Sequence, residues 1–237
     1  PPRSTQGVSS AASDVYKRQA ERLGAEPLPV VTAYSLGKGN NPEVLRPVWG
    51  STIARQLDAA LDQGPEAALI GILGRPRHVK LVAQQLTNRG PSALVLAPMS
   101  SAFDIAPLVN TRLFAAIRRC LIPEARAVVL TANNAATLMG TSGESLDDLR
   151  GIGQKILGLG AGAAWIRASP KESRQIDIFV DQEGSGLLDY QATNEDVETH
   201  TSAASLATLL ALGTKLRPAV NRAHRQAYRV DRELHPA

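Results

Sequence analysis

The stretch DVETHTSAASLATLLALG, Asp196 to Gly213, runs from a polar turn into an apolar helix. A helix start of that kind offers backbone N–H groups and a positive dipole end, which can grip a phosphate. Thr201, Ser202 and Ser205 add hydroxyl groups. Yet the stretch has no lysine, no cysteine, no glycine before Gly213 and no carboxylate after Glu198. Glycines allow N–H groups to close on a phosphate, whereas Thr201 and Ala203 carry Cβ atoms that crowd the approach. Ala204 has no group that can accept a proton. Two readings stand side by side: a phosphate site stripped of its chemistry, or a helix capped by Thr199, Thr201 or Ser202. His200 reads as a turn residue. His78, His200, His224 and His235 show no metal-ligand spacing with Cys120.

The elements that would position this stretch alternate along the chain. Short runs rich in apolar and β-branched residues read as strands: Pro29–Tyr34, EAALIGIL, SALVLAPM, ARAVVLT and AGAAWIRAS. Between them lie helical patterns: STIARQLDAALDQ with Ser51 as its cap, RPRHVKLVAQQLTNRG ending at Gly90, NTRLFAAIRRCLI with an Asn110 or Thr111 cap, and SLDDLRGIGQKILGLG. Leu146, Leu149, Ile152, Ile156 and Leu157 fall at helical spacing in the last of these. GKGNNPEVLRPVWG reads as a loop. RQIDIFVDQEGSGLLDYQA alternates around Glu183-Gly184 and reads as a β-hairpin. The final helix carries an apolar stripe of Leu216, Val220, Ala223, Ala227, Val230 and Leu234, with a solvated arginine face. The expected fold is α/β, doubly wound, with a mostly parallel sheet, helices on both faces and a late hairpin. Ligands in such folds sit on the loops after the C-terminal strand ends.

Composition narrows the functional classes. The chain has 237 residues, 4% aromatic content and a formal net charge of +4. Residues 1–19 hold three cations and one acid, so the rest of the chain carries only +2. With no aromatic ladder for stacking bases, nucleic-acid binding is not expected. No apolar run approaches the ~18–20 residues of a membrane span, and no signal peptide is visible. The single cysteine, Cys120, leaves no internal disulfide and reads as a small buried apolar residue. The expected compartment is the cytoplasm.

The opening PPRSTQGVSSAASDVYKRQ has no strand or helix period. Its DVYKRQ, Asp14 to Gln19, resembles the translated transposon end used to fragment DNA for sequencing libraries. Residues 1–19 are therefore expected to be extended or disordered and not native, the alternative being a disordered native tail. Residues 20–237 form the expected single domain. The native chain would then continue upstream of Ala20, and an open slot is expected beside Pro29–Tyr34.

Taken in order, LGAEPLPVVTAYS, ALIGIL, LVLAPM, VVLTANNAATLMG, GIGQKILGLGAGAAWIRAS and THTSAASLATLLALG resemble the hydroxymethylpyrimidine phosphate kinase family of thiamine biosynthesis. That family is a branch of the ribokinase-like fold. The resemblance spans about Ala20 to Leu234. It implies ATP-dependent phosphoryl transfer to hydroxymethylpyrimidine or its phosphate, with ATP and magnesium bound and a homodimeric assembly. The family's pyrimidine-holding first strand and Gly-rich loop have no match here. An Asp-Pro-Val-Met-like stretch becomes Ala97, Pro98 and Met99. Thr-Pro-Asn-x-x-Glu keeps Thr131 and Asn133 but has Ala136 at the Glu position. Lys-Gly-Gly becomes Arg167, Ala168 and Ser169. Gly-Thr-Gly-Cys or Gly-Thr-Gly-Asp becomes Thr201, Ser202, Ala203 and Ala204. The resemblance thus leaves Asn133, Arg167, Thr201, Ser202, Ala203 and Ser205 as nucleotide- or phosphate-binding candidates. It leaves no catalytic residue, because Ala204 occupies the base position, and no metal ligand. Loss of a general base typically costs ~10²–10⁴ in rate. The expectation is a degenerate kinase homologue that binds a pyrimidine, a nucleotide or a partner protein. The alternative is an active kinase.

Overall fold

The structure is a computed structural model that describes residues 11–38, 41–98, 111–168, 174–191 and 199–234. The first element departs from expectation. Residues 11–19, expected to be extended, belong to a helix, α1 (Ala11–Arg22). Its sequence AASDVYKRQAER has no glycine or proline to interrupt it. Gln19 is buried, and α1 packs on a later helix. Residues 1–10 lie outside the described residues.

The strand expected at Pro29–Tyr34 is shifted to β1 (Ala33–Lys38), and most of the expected loop that follows is β2 (Asn41–Pro47). The two pair only with each other, in an antiparallel ribbon apart from the main sheet. Of the residues that signalled a loop, Gly37, Asn41, Pro42 and Pro47 lie within the paired strands. An open slot beside Pro29–Tyr34 is therefore not a feature of the sheet. Among the described residues the open parallel edge is that of β3 (Ala67–Ile70), reached after α2 (Gly50–Leu61). The cap of α2 is Trp49, with no side-chain hydrogen bond, rather than Ser51.

The chain then alternates through α3 (Pro76–Arg89), β4 (Ala93–Leu96), α4 (Thr111–Cys120), β5 (Ala127–Thr131), α5 (Ala132–Met139), α6 (Leu146–Gly158) and β6 (Ala163–Arg167). The hairpin β7 (Arg174–Asp181) and β8 (Gly184–Gln191) follows, then α7 (Thr199–Ala211) and α8 (Leu216–Leu234). The main sheet has order β3-β4-β5-β6-β7-β8. β3 to β6 are parallel, and β7 and β8 add antiparallel. Expected and observed architecture agree: α/β, mostly parallel, doubly wound, with a late hairpin. Asn110 lies outside the described residues, and Thr111 is already the first residue of α4.

Strand alternation sorts the core into two layers. Leu94, Leu96, Val128, Leu130, Ala164, Ile166, Ile178 and Val180 face a cluster completed by residues of α2 to α6. Val95, Ala97, Ala127, Val129, Ala163, Trp165 and Phe179 face the opposite cluster, completed by α7 and α8. Burial of each large aliphatic side chain stabilises the fold by about 1.5–3 kcal/mol. In α6, Leu149, Ile152 and Ile156 carry that load, whereas Leu146 of the same expected stripe is exposed.

Candidate functional site

The helix that raised the first question begins at Thr199, so Thr201 to Ser205 fill its first two turns. Side chains 201 to 209 are all buried. A helix buried on every side belongs inside the molecule rather than on its surface. α7 lies across β3, β4 and β5 and is covered by α1 and α8. Its hydroxyls are partly committed. Ser205 Oγ donates to Gln19 Oε1 at 3.1 Å, and Thr208 Oγ1 donates to the Ala204 carbonyl at 2.8 Å. Ala203 is fully buried and packs in the apolar cluster on this side of the sheet.

The other candidates sit at the C-terminal ends of the strands. Thr131 closes β5, and its strand partner across the register is Arg167, which closes β6. Thr131 Oγ1 accepts from the Asn134 amide at 3.2 Å and caps α5. That cap leaves Asn133 exposed in the first turn of α5. Asn133 and Arg167 are thus brought to one end of the sheet. Thr201, Ser202, Ala203, Ala204 and Ser205 belong to the helix layer over one face of the same sheet. Ala97 follows β4, fully buried, in the same apolar cluster as Ala203. Ala136 packs on the cluster of the opposite face. Met99 and Ser169 lie outside the described residues.

Arg167 is not a free surface cation. It is buried, and its Nε stands 3.8 Å from Oδ2 of Asp177, its partner across the β6–β7 register. The same carboxylate oxygen accepts from Trp165 Nε1 at 2.8 Å. His224 Nε2 of α8 lies 3.7 Å from it, with the Trp165 and His224 rings 6.1 Å apart. Asp177 is fully buried. Burial is the main cause that pushes the His224 pKa below its ordinary value; the Asp177 charge opposes that shift and Arg167 reinforces it. Neither Asp177 nor His224 stood out in the sequence as a member of this cluster. Signals existed: Asp177 shares the inward face of β7 with Phe179, and His224 lies on the stripe that contains Val220.

The geometry can be set beside known proteins. The family model for phosphomethylpyrimidine kinase matches residues 17–232. This chain belongs to the phosphomethylpyrimidine kinase family. The hydroxymethylpyrimidine/phosphomethylpyrimidine kinase of Bacillus subtilis (strain 168) is 25% identical over 195 residues, which cover 80% of this chain and 70% of that protein. Among solved structures, the phosphomethylpyrimidine kinase of Clostridium difficile 630 superposes with a TM-score of 0.76 at 20% identity, over 90% of each chain. The pyridoxal kinase of Staphylococcus aureus, in complex with AMP-PCP and pyridoxal, gives 0.81 at 20% identity, over 89% of this chain and 78% of that one. These likenesses establish the ribokinase-like fold.

Family membership implies ATP and magnesium, and the donor set can be tested against them. A magnesium ion needs oxygen ligands, but positions 97 and 136 carry methyl groups. Ala97 is sealed in an apolar cluster, and a Cβ built on Gly143 would stand 3.2 Å from that of Ala136. The described residues hold no cluster of three or more His, Cys, Asp or Glu that could bind a metal. At these two positions the residues do not fit the ion. For a nucleotide, the exposed Asn133 and the buried end of α7 remain candidates. None of the helices in the described residues is long and apolar enough to cross a membrane.

Proposed function

We propose that the chain is a catalytically degenerate phosphomethylpyrimidine kinase homologue. It binds a pyrimidine, a nucleotide or a protein of thiamine metabolism without transferring phosphate, in the cytoplasm and as a homodimer. One observation carries the reading: Ala97 and Ala203, which replace an acid and an anion-hole glycine of the family pattern, are both fully buried in one apolar cluster. Charge carried into such a cluster loses its hydration with nothing to replace it. Phosphoryl transfer depends on positioning, metal and donors for developing charge. Ala204, at the base position, supports the same reading. Arg167, in the Lys-Gly-Gly position, is engaged by Asp177. The positive end of α7 would favour an anion by roughly 0.3–1 kcal/mol, enough for weak binding only.

The test combines turnover and binding. The purified chain is incubated with ATP and hydroxymethylpyrimidine or its phosphate, with and without magnesium. No phosphorylation is expected, while the pyrimidine or a nucleotide raises the melting temperature. A second protein, in which the natural upstream sequence replaces residues 1–19, is assayed in parallel and is expected to stay inactive. The alternative, an active kinase, rests on family membership. Robust turnover by either protein would establish it in place of the degenerate reading.

A further inference from the structure

A concave surface lies far from α7, in the helix layer on the other side of the sheet. A groove of about 940 Å³ runs between α3 and α4. Arg75, Arg77 and Lys80 line it from the start of α3, and Arg112, Arg118 and Arg119 from α4. None of its ten described lining residues is acidic. The arrangement follows from the local sequence. Arg112, Ala115, Ala116 and Arg119 recur at helical spacing, so two alanines make a low floor between two arginines. Across the floor, Arg75 is the cap of α3 and makes no side-chain capping hydrogen bond. Neither α3 nor α4 has an acidic residue in its first turn. The N-terminal end of α3 therefore adds its own positive potential to the cations beside it.

Four of these charges lack the carboxylate partners that several cations elsewhere in the molecule have. Arg89 meets Asp58 and Asp62, Arg150 meets Asp147, and Arg217 meets Asp181 and Glu183. Arg75, Arg77, Lys80 and Arg119 join no ion pair among the described residues. The Arg118 guanidinium donates to the Leu138 carbonyl, which fixes it in place without neutralising it. The field is felt nearby, since Arg77 and Arg75 add to burial in lowering the His78 pKa. Arg75, Arg77, Lys80, Arg118 and Arg119 around one concavity repel each other, and an anion with several charges would relieve that repulsion.

We propose that the α3–α4 groove is a binding site for a compact, phosphate-rich small anion such as a polyphosphate or a multiply phosphorylated metabolite. Arginine forks match phosphate oxygens in pairs, which favours phosphate over an isolated carboxylate. Volume and charge suit one small molecule: ligand sites commonly span about 300–1,000 Å³. The described lining residues include no aromatic side chain on which a base could stack, which disfavours single-stranded nucleic acid. The site is independent of the kinase reading, because it shares no residue with the α7 site.

Inorganic tripolyphosphate is the probe, titrated calorimetrically into the full chain at low and at physiological salt. One-to-one binding that weakens with salt is expected. The variant Arg77→Gln/Arg119→Gln is expected to lose at least tenfold in affinity, with an unchanged circular dichroism spectrum and melting temperature. Lys215→Gln, just before α8 across the sheet, should bind as the unaltered chain does. Absence of binding, equal binding by the double variant, or equal loss in Lys215→Gln would overturn the proposal. So would tighter binding of a single-stranded oligonucleotide that depends on Arg77 and Arg119, which would assign the groove to a polymer.

Discussion

Asp177 shows how one residue can organise a region that its neighbours only fill. Its Oδ2 takes the Trp165 N–H and faces Arg167 and His224 together. The result is a buried polar centre between β6, β7 and α8. The His224 pKa is lowered there because burial outweighs the attraction of Asp177, with Arg167 and Arg225 adding repulsion and Asp189 opposing it. Its native pKa therefore lies below the ordinary value of about 6.5. Between those two values the unfolded chain binds a proton that the native chain does not. Stability thus falls as the pH drops through about 6.5 and levels off below the native His224 value. His78, buried and lowered mainly by desolvation, contributes in the same sense. The expected outcome for His224→Gln is a melting temperature that declines less between pH 7 and pH 5 than in the unaltered chain. Melting curves at half-unit pH intervals measure this, and an unchanged slope would show that His224 does not titrate there. Sequence alone could place Arg167 at a strand end but not reveal its partner. The pairing of residues 167 and 177 depends on the register of the antiparallel β6–β7 pair, which a pattern of alternation does not fix.

At the scale of elements, the parallel strands and the helices between them were legible because their signals are local and mutually consistent. ALVL, AVVL and AAWI are short apolar runs bounded by turns, and each is buried on both faces of the sheet. The ribbon of β1 and β2 was not legible, because its sequence alternates weakly and carries the Gly, Asn and Pro residues of a loop. The candidate site was legible only in part. Asn133 and Arg167 do share one end of the sheet, but the burial of Thr201 to Ser205 depends on five other elements that converge on α7. One contact legible in neither composition nor period is that of α6 with β7. Gly153 lies where a Cβ would stand 2.6 Å from Val180 Cγ2 and 3.1 Å from Val180 Cβ. The helix approaches the strand closely because position 153 has no side chain. Gly153→Ala gains helix propensity of up to about 1 kcal/mol, but it overpacks the contact by about 1–3 kcal/mol. A net loss of stability is therefore expected, accompanied by displacement of α6. Urea unfolding of the variant measures it, and a gain in stability would mean that the helix moves away at no cost.

The whole molecule is a sheet between two unequal layers, and α1 is the outermost piece of the smaller one. It covers α7, yet its contact is imperfect. Gln19 is buried and accepts the Ser205 hydroxyl through Oε1, while its Nε2 has no hydrogen-bond partner. A buried donor without a partner typically costs about 1–3 kcal/mol. Such a mismatch fits the proposal that residues 1–19 are not native, and that their helix fills a place shaped by another sequence. That proposal leads to an unusual expectation for a buried residue. Gln19→Leu removes the unmatched amide and keeps the volume nearly constant. Ser205 can then turn its hydroxyl to the Thr201 carbonyl one turn earlier. The melting temperature is expected to stay level or rise. A native contact selected with α7 would behave otherwise, since loss of the Ser205 bond would lower the melting temperature by several degrees. Amplification of the gene from its source DNA gives the independent measurement. A natural reading frame that encodes DVYKRQ at this place, together with a destabilised Gln19→Leu variant, would make α1 a genuine part of the smaller layer.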